Sequence, residues 1–350
     1  MLCTSPSLRA QGHIATVEAA LGERLAAIYE RTQAHVLDFQ LAEALELAVQ
    51  ANIEAIIGLG GGSPIGLAKA VAAALEQQRT GQPVTAKTPT EQPLIPVIAI
   101  PTTYAGSEMT PVYGVTHHQP DGSNRKITVK DVKIAPKLVI YDPALTLNLP
   151  ASITAGTGVN ALAHCIEAVY SRTRNPLSTA AALSGIRAIN QALPRCYTQG
   201  HELSARTQMM LGAHLAGSSL ATVVMGLHHG LCHILGGTAG VPHGIANAII
   251  LPHAMRFNLD ATTPFLAQVA EALGVATRDK SAEVLAEAAI HTVAELIGQL
   301  GLPQHLRETG ITQADLPYLA QLALKSNAVQ QNPKLLTDAA EAEAIFRAAW

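Results

Sequence analysis

An apolar run, Ile53–Leu59, passes directly into Gly60-Gly61-Gly62-Ser63, and Pro64 then opens an Ala-rich helical pattern that lasts to Gln77. A buried strand that breaks into three glycines and restarts at once as a helix leaves the chain few folds to choose from. Pro64 suits the first helical turn, where its missing N–H costs nothing. Glycines let the backbone approach a ligand closely, and the free N–H groups and positive end of the helix favour an anion such as a pyrophosphate. Ser63 adds a hydroxyl donor. The pattern is not a Walker loop, because no Gly-Lys-Ser/Thr follows, and it is not a clean G-x-G-x-x-G. A tight strand–helix turn with no ligand is the alternative reading at this point.

The alternation extends to both sides. Thr16–Arg31 reads as a helix and His35–Phe39 as a short strand. Gln40–Ala51 is an amphipathic helix, with Leu41, Leu45, Ala48 and Val49 at helical spacing. Leu94–Ile100 is a buried strand and Leu138–Tyr141 another. Such alternation predicts a parallel sheet with helices on both faces. The polar stretch Gln78–Gln92 reads as a loop, and His117–Asn124 as an exposed hairpin tip. From about Asp142 the strand-like runs cease, and Ala/Leu-rich helical patterns continue to the end. We therefore expect an α/β dinucleotide-binding domain over 1–147 and an all-helical domain over 148–350. The chain's 350 residues suffice for two cores.

A second glycine- and hydroxyl-rich loop, Pro101–Pro111, also leaves a buried strand. In open parallel sheets ligands bind beyond the carboxyl ends of the strands. Gly60, Gly61, Gly62 and Ser63 on the first loop, and Thr102, Thr103 and Ser107 on the second, are the expected cofactor contacts. The helical part concentrates histidines: His228, His229, His233 and His243 fall within one stretch, out of 14 in the chain. His229 and His233 are four apart and share a helix face, and a Gly-rich turn returns His243 toward them. Such imidazoles can converge on a metal ion or a reacting carbonyl. Packed histidines at a helix end are the alternative.

Composition excludes several classes. With 48% hydrophobic and only 14% charged residues the chain is apolar, yet no run approaches the roughly 18 unbroken apolar residues of a membrane span. Helices buried on several sides account for the balance. A net charge of -3 and the absence of a basic stripe give no reason to expect nucleic acid. Cys3, Cys165, Cys196 and Cys232 form no C-x-x-C pair, which argues against a zinc knuckle or redox dithiol and fits a reducing cytoplasm. The start has no basic segment ahead of a long apolar one, so no signal peptide is expected.

Five motifs, GGGSPIGLAKA (60–70), PTTYAGSEMTP (101–111), YDPALTLNLP (141–150), GVNALAHCIEAVYS (158–171) and GLHHGLCHILGG–PHGIANAIILPHAMRFN (226–258), occur in the order seen in iron-containing alcohol dehydrogenases. Their spellings resemble the maleylacetate reductase branch, which is similar in carrying glycine at Gly66 where many relatives have Asp, and asparagine at Asn160. The resemblance implies that family's architecture, an α/β nucleotide domain and an all-α catalytic domain, and a homodimer. It implies reduction of the conjugated C=C bond of maleylacetate to 3-oxoadipate by NADH, with NADPH tolerated because Ser5 and Ser7, and no Asp, lie near the end of the first strand.

By the same resemblance a metal would be held by Asn160, His164, His229 and His243. Replacing the family's Asp by a neutral amide removes the one anionic ligand, so the expectation is against bound iron or zinc and for a ring of hydrogen-bond donors around an enone. His233, His229 and His243 are the expected catalytic residues, with His233 as proton donor. Tyr104, Asn160 and His164 are the expected substrate contacts. Lys126 matches a lysine near the cofactor, or is an ordinary surface lysine. Glu167 either orients His164 or lies in a solvated stripe, and His228 is expected to face away. The chain also looks as though it begins inside the first strand of the nucleotide fold. A metal-dependent alcohol or polyol dehydrogenase is the second reading, and a non-catalytic nucleotide-binding protein the third.

Overall fold

The computed structural model describes residues 1–33, 36–81, 95–118 and 124–350, without the side chains of residues 118 and 124–126. The chain divides into two compact units, Met1–Asn148 and Leu149–Trp350.

In the first unit the strands are β1 (Leu2–Cys3), β2 (Ile28–Tyr29), β3 (Ile56–Gly60), β4 (Val97–Pro101), β5 (Val112–His118), β6 (Asn124–Lys130) and β7 (Leu138–Val139). Five of them form a parallel sheet in the order β2-β1-β3-β4-β7. The chain leaves β1 toward one edge and then crosses to its other side to make β3. The carboxyl ends of β1 and β3 therefore flank the point where the strand order reverses, which is where open α/β sheets bind ligands. The helices of this unit are α1 (Pro6–Ala10), α2 (His13–Leu21), α3 (Asp38–Gln50) and α4 (Gly62–Thr80). Helix α4 buries Leu67, Ala68, Val71 and Leu75 in one core with Ala44 and Ala48 of α3 and Ile56 of β3. Gly58 permits this close seating, since a Cβ there would lie 2.9 Å from the Ile65 Cα.

Several local expectations are corrected. The helix read over Thr16–Arg31 stops at Leu21, because Gly22 turns the chain at φ +51° and Ile28–Tyr29 is drawn into the sheet beside β1. Asp38 and Phe39 open α3 rather than ending a strand; Leu37 makes only an isolated bridge to Thr116, and residues 34–35 lie outside the described set. Gln78–Thr80 complete α4, and the rest of the segment read as a loop, from residue 82 on, is also outside it. Strands β5 and β6 pair antiparallel from Val112↔Lys130 to His118↔Asn124, so the residues flanking the expected tip form a hairpin, while 119–123 are not described.

The second unit is helical throughout: α5 (Ala151–Tyr170), α6 (Pro176–Thr198), α7 (Leu203–Thr222), α8 (Leu227–Ala239), α9 (His243–Ala272), α10 (Ala282–Gly298), α11 (Leu316–Leu324), α12 (Asn327–Gln330) and α13 (Ala339–Ala348), with short 3-10 turns. Small residues set the helix spacing. A Cβ on Gly185 of α6 would lie 2.6 Å from the Cys165 Sγ of α5, and one on Gly244 of α9 would lie 2.8 Å from the Gly156 Cα of α5. Leu227, Leu231 and Leu235 of α8 pack with Ile250, Leu316 and Phe346 in one cluster. Among the described residues no single helix is long and apolar enough to cross a membrane; α7 and α8 reach that length only as a pair bent by 97°.

Candidate active site

The two glycine-rich loops of the first unit lie side by side. Gly60 adopts φ +139°, and a Cβ there would sit 2.8 Å from the Pro64 Cγ, so both the turn and the space demand glycine. A Cβ on Gly61 would press on the Thr103 Cγ2 at 3.1 Å, and one on Gly62 would stand 3.8 Å from the Ser107 Cβ. The Thr102 N–H donates to the Gly60 carbonyl at 3.0 Å. Helix α4 has no side-chain cap at its N-terminus, and Gly62 is exposed. The first N–H groups of a helix have no partner within it and carry its positive end. An uncapped, side-chain-free helix start beside the reversal point of a parallel sheet fits the pyrophosphate of a dinucleotide.

One residue of this unit escaped the sequence reading. Lys69 is the sole charged residue between Pro64 and Leu75, and it is fully buried. Its ammonium donates to the carbonyls of Ser107 (2.5 Å), Thr110 (2.8 Å) and Val112 (3.0 Å), which ties α4 to the second loop. Burial pulls the lysine down to about 7, while nearby Glu108 pulls it up. Glu108 is itself buried, accepts from the Tyr141 hydroxyl at 2.9 Å, and is pushed up by burial. Tyr104 is fully buried rather than displayed on the loop surface. Ser5 and Ser7, with hydroxyls 3.0 Å apart, follow β1. The backbone of Lys126 pairs with Thr116 in the hairpin; its side chain is outside the described set.

In the second unit the histidines converge. Helix α5 supplies Asn160 and His164, α8 supplies His229 and His233, and the first residue of α9 is His243. The rings of His164 and His229 stack at 4.5 Å and 9°. His243 lies 6.2 Å from His229 and 5.6 Å from His233, centroid to centroid. Asn160, His164 and His229 are buried, His243 is half-buried, and His233 is exposed. The bare backbones of Gly156 and Gly244, in contact one residue after His243 and one turn before Asn160, let these helices meet.

Glu167 does not orient His164. Its Oε2 accepts from the Nδ1–H of His229 at 2.5 Å. His228 does not face away either: it is fully buried, edge-on to His229 at 4.7 Å, and its Nε2–H donates to the Asn247 carbonyl at 3.2 Å. The helical-wheel argument fails here because packing surrounds the first part of α8, Leu227–Cys232, leaving no solvent side for this residue to face. Burial, before any other cause, holds His164 and His229 well below the usual imidazole range and His228 down to about 3. Cys165 and Cys232 are buried thiols pushed up by burial, which makes them inert.

These facts decide what the cluster can hold. A neutral imidazole has one N–H and one lone pair. His229 commits its N–H to Glu167, so Nε2 carries the lone pair. Both this Nε2 and the Nδ1 of His164 are buried with no hydrogen-bond partner. Two buried, neutral, unpartnered ring nitrogens on stacked rings, with His243 and Asn160 beside them, fit a divalent metal. Three imidazoles plus an open position are a common catalytic zinc arrangement, so the loss of a carboxylate at residue 160 does not disqualify the set. The expectation against a metal, and the picture of His229 as a hydrogen-bond donor, therefore find no support. Among the described residues, the group whose ligand-type atoms all lie within 4.8 Å of one another is Glu167, His228 and His229, whereas His243 stands 6.2 Å from His229, centroid to centroid. Glu167, both ring nitrogens of His228 and the Nδ1 of His229 are engaged with each other and with backbone, so we read the trio as holding His229 in place while its Nε2 stays unpartnered.

Comparison with known proteins agrees with both units. The family model for iron-containing alcohol dehydrogenase matches residues 1–143, and that for the C-terminal part of the Fe-containing alcohol dehydrogenase family matches 154–350. The maleylacetate reductase of Burkholderia cepacia is 37% identical over 317 residues, 89% of this chain and 78% of the relative. The 1,3-propanediol dehydrogenase of Citrobacter freundii is 35% identical over 328 residues, 92% and 83% respectively. The crystal structure of maleylacetate reductase from Rhizobium sp. strain MTP-10005 superposes with a TM-score of 0.83 at 32% identity, covering 100% of this chain and 88% of that one. A nucleotide loop of this form, a histidine cage of this form and matches that span both units have one common explanation: the chain belongs to the iron-containing alcohol dehydrogenase family, whose members are NAD(P)-dependent oxidoreductases.

Proposed function

We propose that this chain reduces the carbon–carbon double bond of a small dicarboxylate enone of the maleylacetate type, giving 3-oxoadipate, with NADH as donor and NADPH accepted. The observation that carries the reading is the charge of the cage. Asn160 is a buried neutral amide where an aspartate would add an anion, and the charge of Glu167 is spent on hydrogen bonds. With a neutral amide at residue 160 the cluster carries one anion fewer, which lowers its repulsion of an anionic substrate. The similarity to maleylacetate reductases points the same way.

In this reading the α4 N-terminus with Gly60, Gly61, Gly62 and Ser63 holds the cofactor's phosphates, and Thr102, Thr103 and Ser107 line the neighbouring loop. Hydride passes to the alkene carbon remote from the ketone, and negative charge develops on the ketone oxygen. A metal held by His164, His229 and His243 next to Asn160 would supply Lewis-acid stabilisation of that oxygen. His233, the exposed member of the cluster, gives a proton to the carbon adjacent to the ketone, closing the balance as NAD⁺ and 3-oxoadipate. Asn160 orients the substrate through its amide. The enzyme acts as a cytoplasmic homodimer in this reading, which sedimentation of the purified protein tests.

The second reading is a metal-dependent dehydrogenase of small alcohols, favoured by the lone pairs of His164 and His229 and by the Citrobacter match. NADH oxidation measured side by side with maleylacetate and with an aldehyde panel separates the two. Turnover of maleylacetate at least about tenfold above every aldehyde supports the enone reading, and preference for an aldehyde overturns it.

A further inference from the structure

We propose that Glu167 is a positioning residue: it fixes the proton of His229 on Nδ1 and thereby keeps the Nε2 lone pair turned into the histidine cluster. The inference deepens the reading above, because that lone pair is what makes His229 a ligand. Its basis is the start of α8. The first N–H groups of a helix need partners from elsewhere. Here the N–H groups of Gly226 and His228 donate to Glu167 Oε1 at 3.2 and 3.1 Å, and that of His229 to Oε2 at 3.3 Å. The N–H of Leu227 donates to Asn332 Oδ1 at 3.1 Å. Oε2 also takes the His229 Nδ1–H at 2.5 Å. One buried carboxylate thus receives four N–H groups, three of them at the positive end of a helix. Burial pushes the Glu167 carboxyl up, and the N–H donors aimed at both oxygens pull it back toward the ionised form.

An ionised carboxylate has no proton to give, so the shared hydrogen belongs to His229 and Nε2 is left with the lone pair. Space enforces the arrangement. A Cβ on Gly226 would lie 2.8 Å from Asn332 Oδ1 and 3.2 Å from Glu167 Oε1. Second-layer partners of this kind fix the tautomer of a ligand histidine and typically change metal affinity by about 10- to 100-fold when removed.

Glu167→Gln tests the assignment. The amide carries one acceptor and one donor group, and turned to cap Gly226 and His228 it sets an N–H against the Nδ1–H of His229. Relief comes when His229 moves its proton to Nε2. Nitrogen-15 NMR of histidine-labelled, metal-free protein reads the tautomer directly. The expected result is Nδ1–H at His229 in the wild type, Nε2–H in Glu167→Gln, and zinc affinity at least about tenfold weaker in the variant. Asn332→Ala, which removes the other cap of the same helix start, is expected to lower stability and keep the Nδ1–H tautomer. Nε2–H in the wild type, or an unchanged tautomer in Glu167→Gln, overturns the assignment; the wild-type spectrum decides even when the variant fails to fold. If the tautomer changes as expected but wild-type protein binds no zinc, the metal reading fails and the role of Glu167 stands.

Discussion

At the scale of single residues, the chemistry turns on where one proton sits and where one charge is missing. His229 and His164 present lone pairs because burial keeps both neutral, and Asn160 stands beside them without a charge. Asn160→Asp is expected to raise affinity for zinc or Fe(II) by about tenfold or more, since a carboxylate is a far better ligand than an amide beside imidazoles. Competition against a chelator of known affinity measures it, and equal affinity would remove Asn160 from the cage. In the other unit, Gly60→Ala forces a side chain into φ +139° and against Pro64. The expected cost is about 1–3 kcal/mol in urea unfolding, together with weaker NADH binding. The histidines were visible in the sequence, but their protons were not. The tautomer of His229 is set by a residue 62 positions away, and no local pattern announces that.

Helices and strands were legible in proportion to their length. The long alternating runs of β3, α4 and β4 showed themselves through periodicity, whereas β2 spans only Ile28–Tyr29 and was swallowed by a helical pattern. What brings elements together was harder to see. Gly156 and Gly244 carry no periodic signal, yet their contact seats the start of α9 on α5. Gly244→Ala should force α9 away from α5 and move His243, lowering stability by about 1–3 kcal/mol and weakening zinc binding more than NADH binding. Calorimetric titration with each ligand compares the two, and an equal loss of both would contradict it.

Lys69 makes a second test at this scale. An unfolded chain keeps a lysine proton up to about 10.4, whereas in the fold Lys69 loses it near 7 despite the pull of Glu108. Between those values the unfolded state binds more protons, so stability rises with pH; below about 7 the fold carries the whole cost of the buried charge. Lys69→Met removes that dependence. Its stability relative to wild type should therefore fall as pH climbs from about 7 toward 10.4, and urea titrations across that range that show a constant difference would refute the shift.

For the molecule as a whole, the apolar composition that first looked unusual follows from helices set close together by glycine and alanine, with little charged surface between them. The division of labour is also a whole-molecule property. The glycine-rich loops lie in one unit and the clustered histidines in the other. Removing metal with a chelator is expected to leave the Kd for NADH within about twofold while lowering the melting temperature, because an ion that binds only the folded state adds stability by mass action. Fluorescence titration and a thermal melt on the same sample check both. A large loss of NADH affinity would mean that the two functions are coupled.

The start of α8 has one further consequence, for the order of events in time. Its four leading N–H groups depend on Glu167 and on Asn332, far apart along the chain on either side of it. During synthesis α5 emerges first, but the partner of Leu227 arrives only when the chain is nearly finished. Pairings across such separations form late, after the entropy of closing long loops has been overcome. The cap on Leu227 is therefore expected to be among the last contacts of α8 to form.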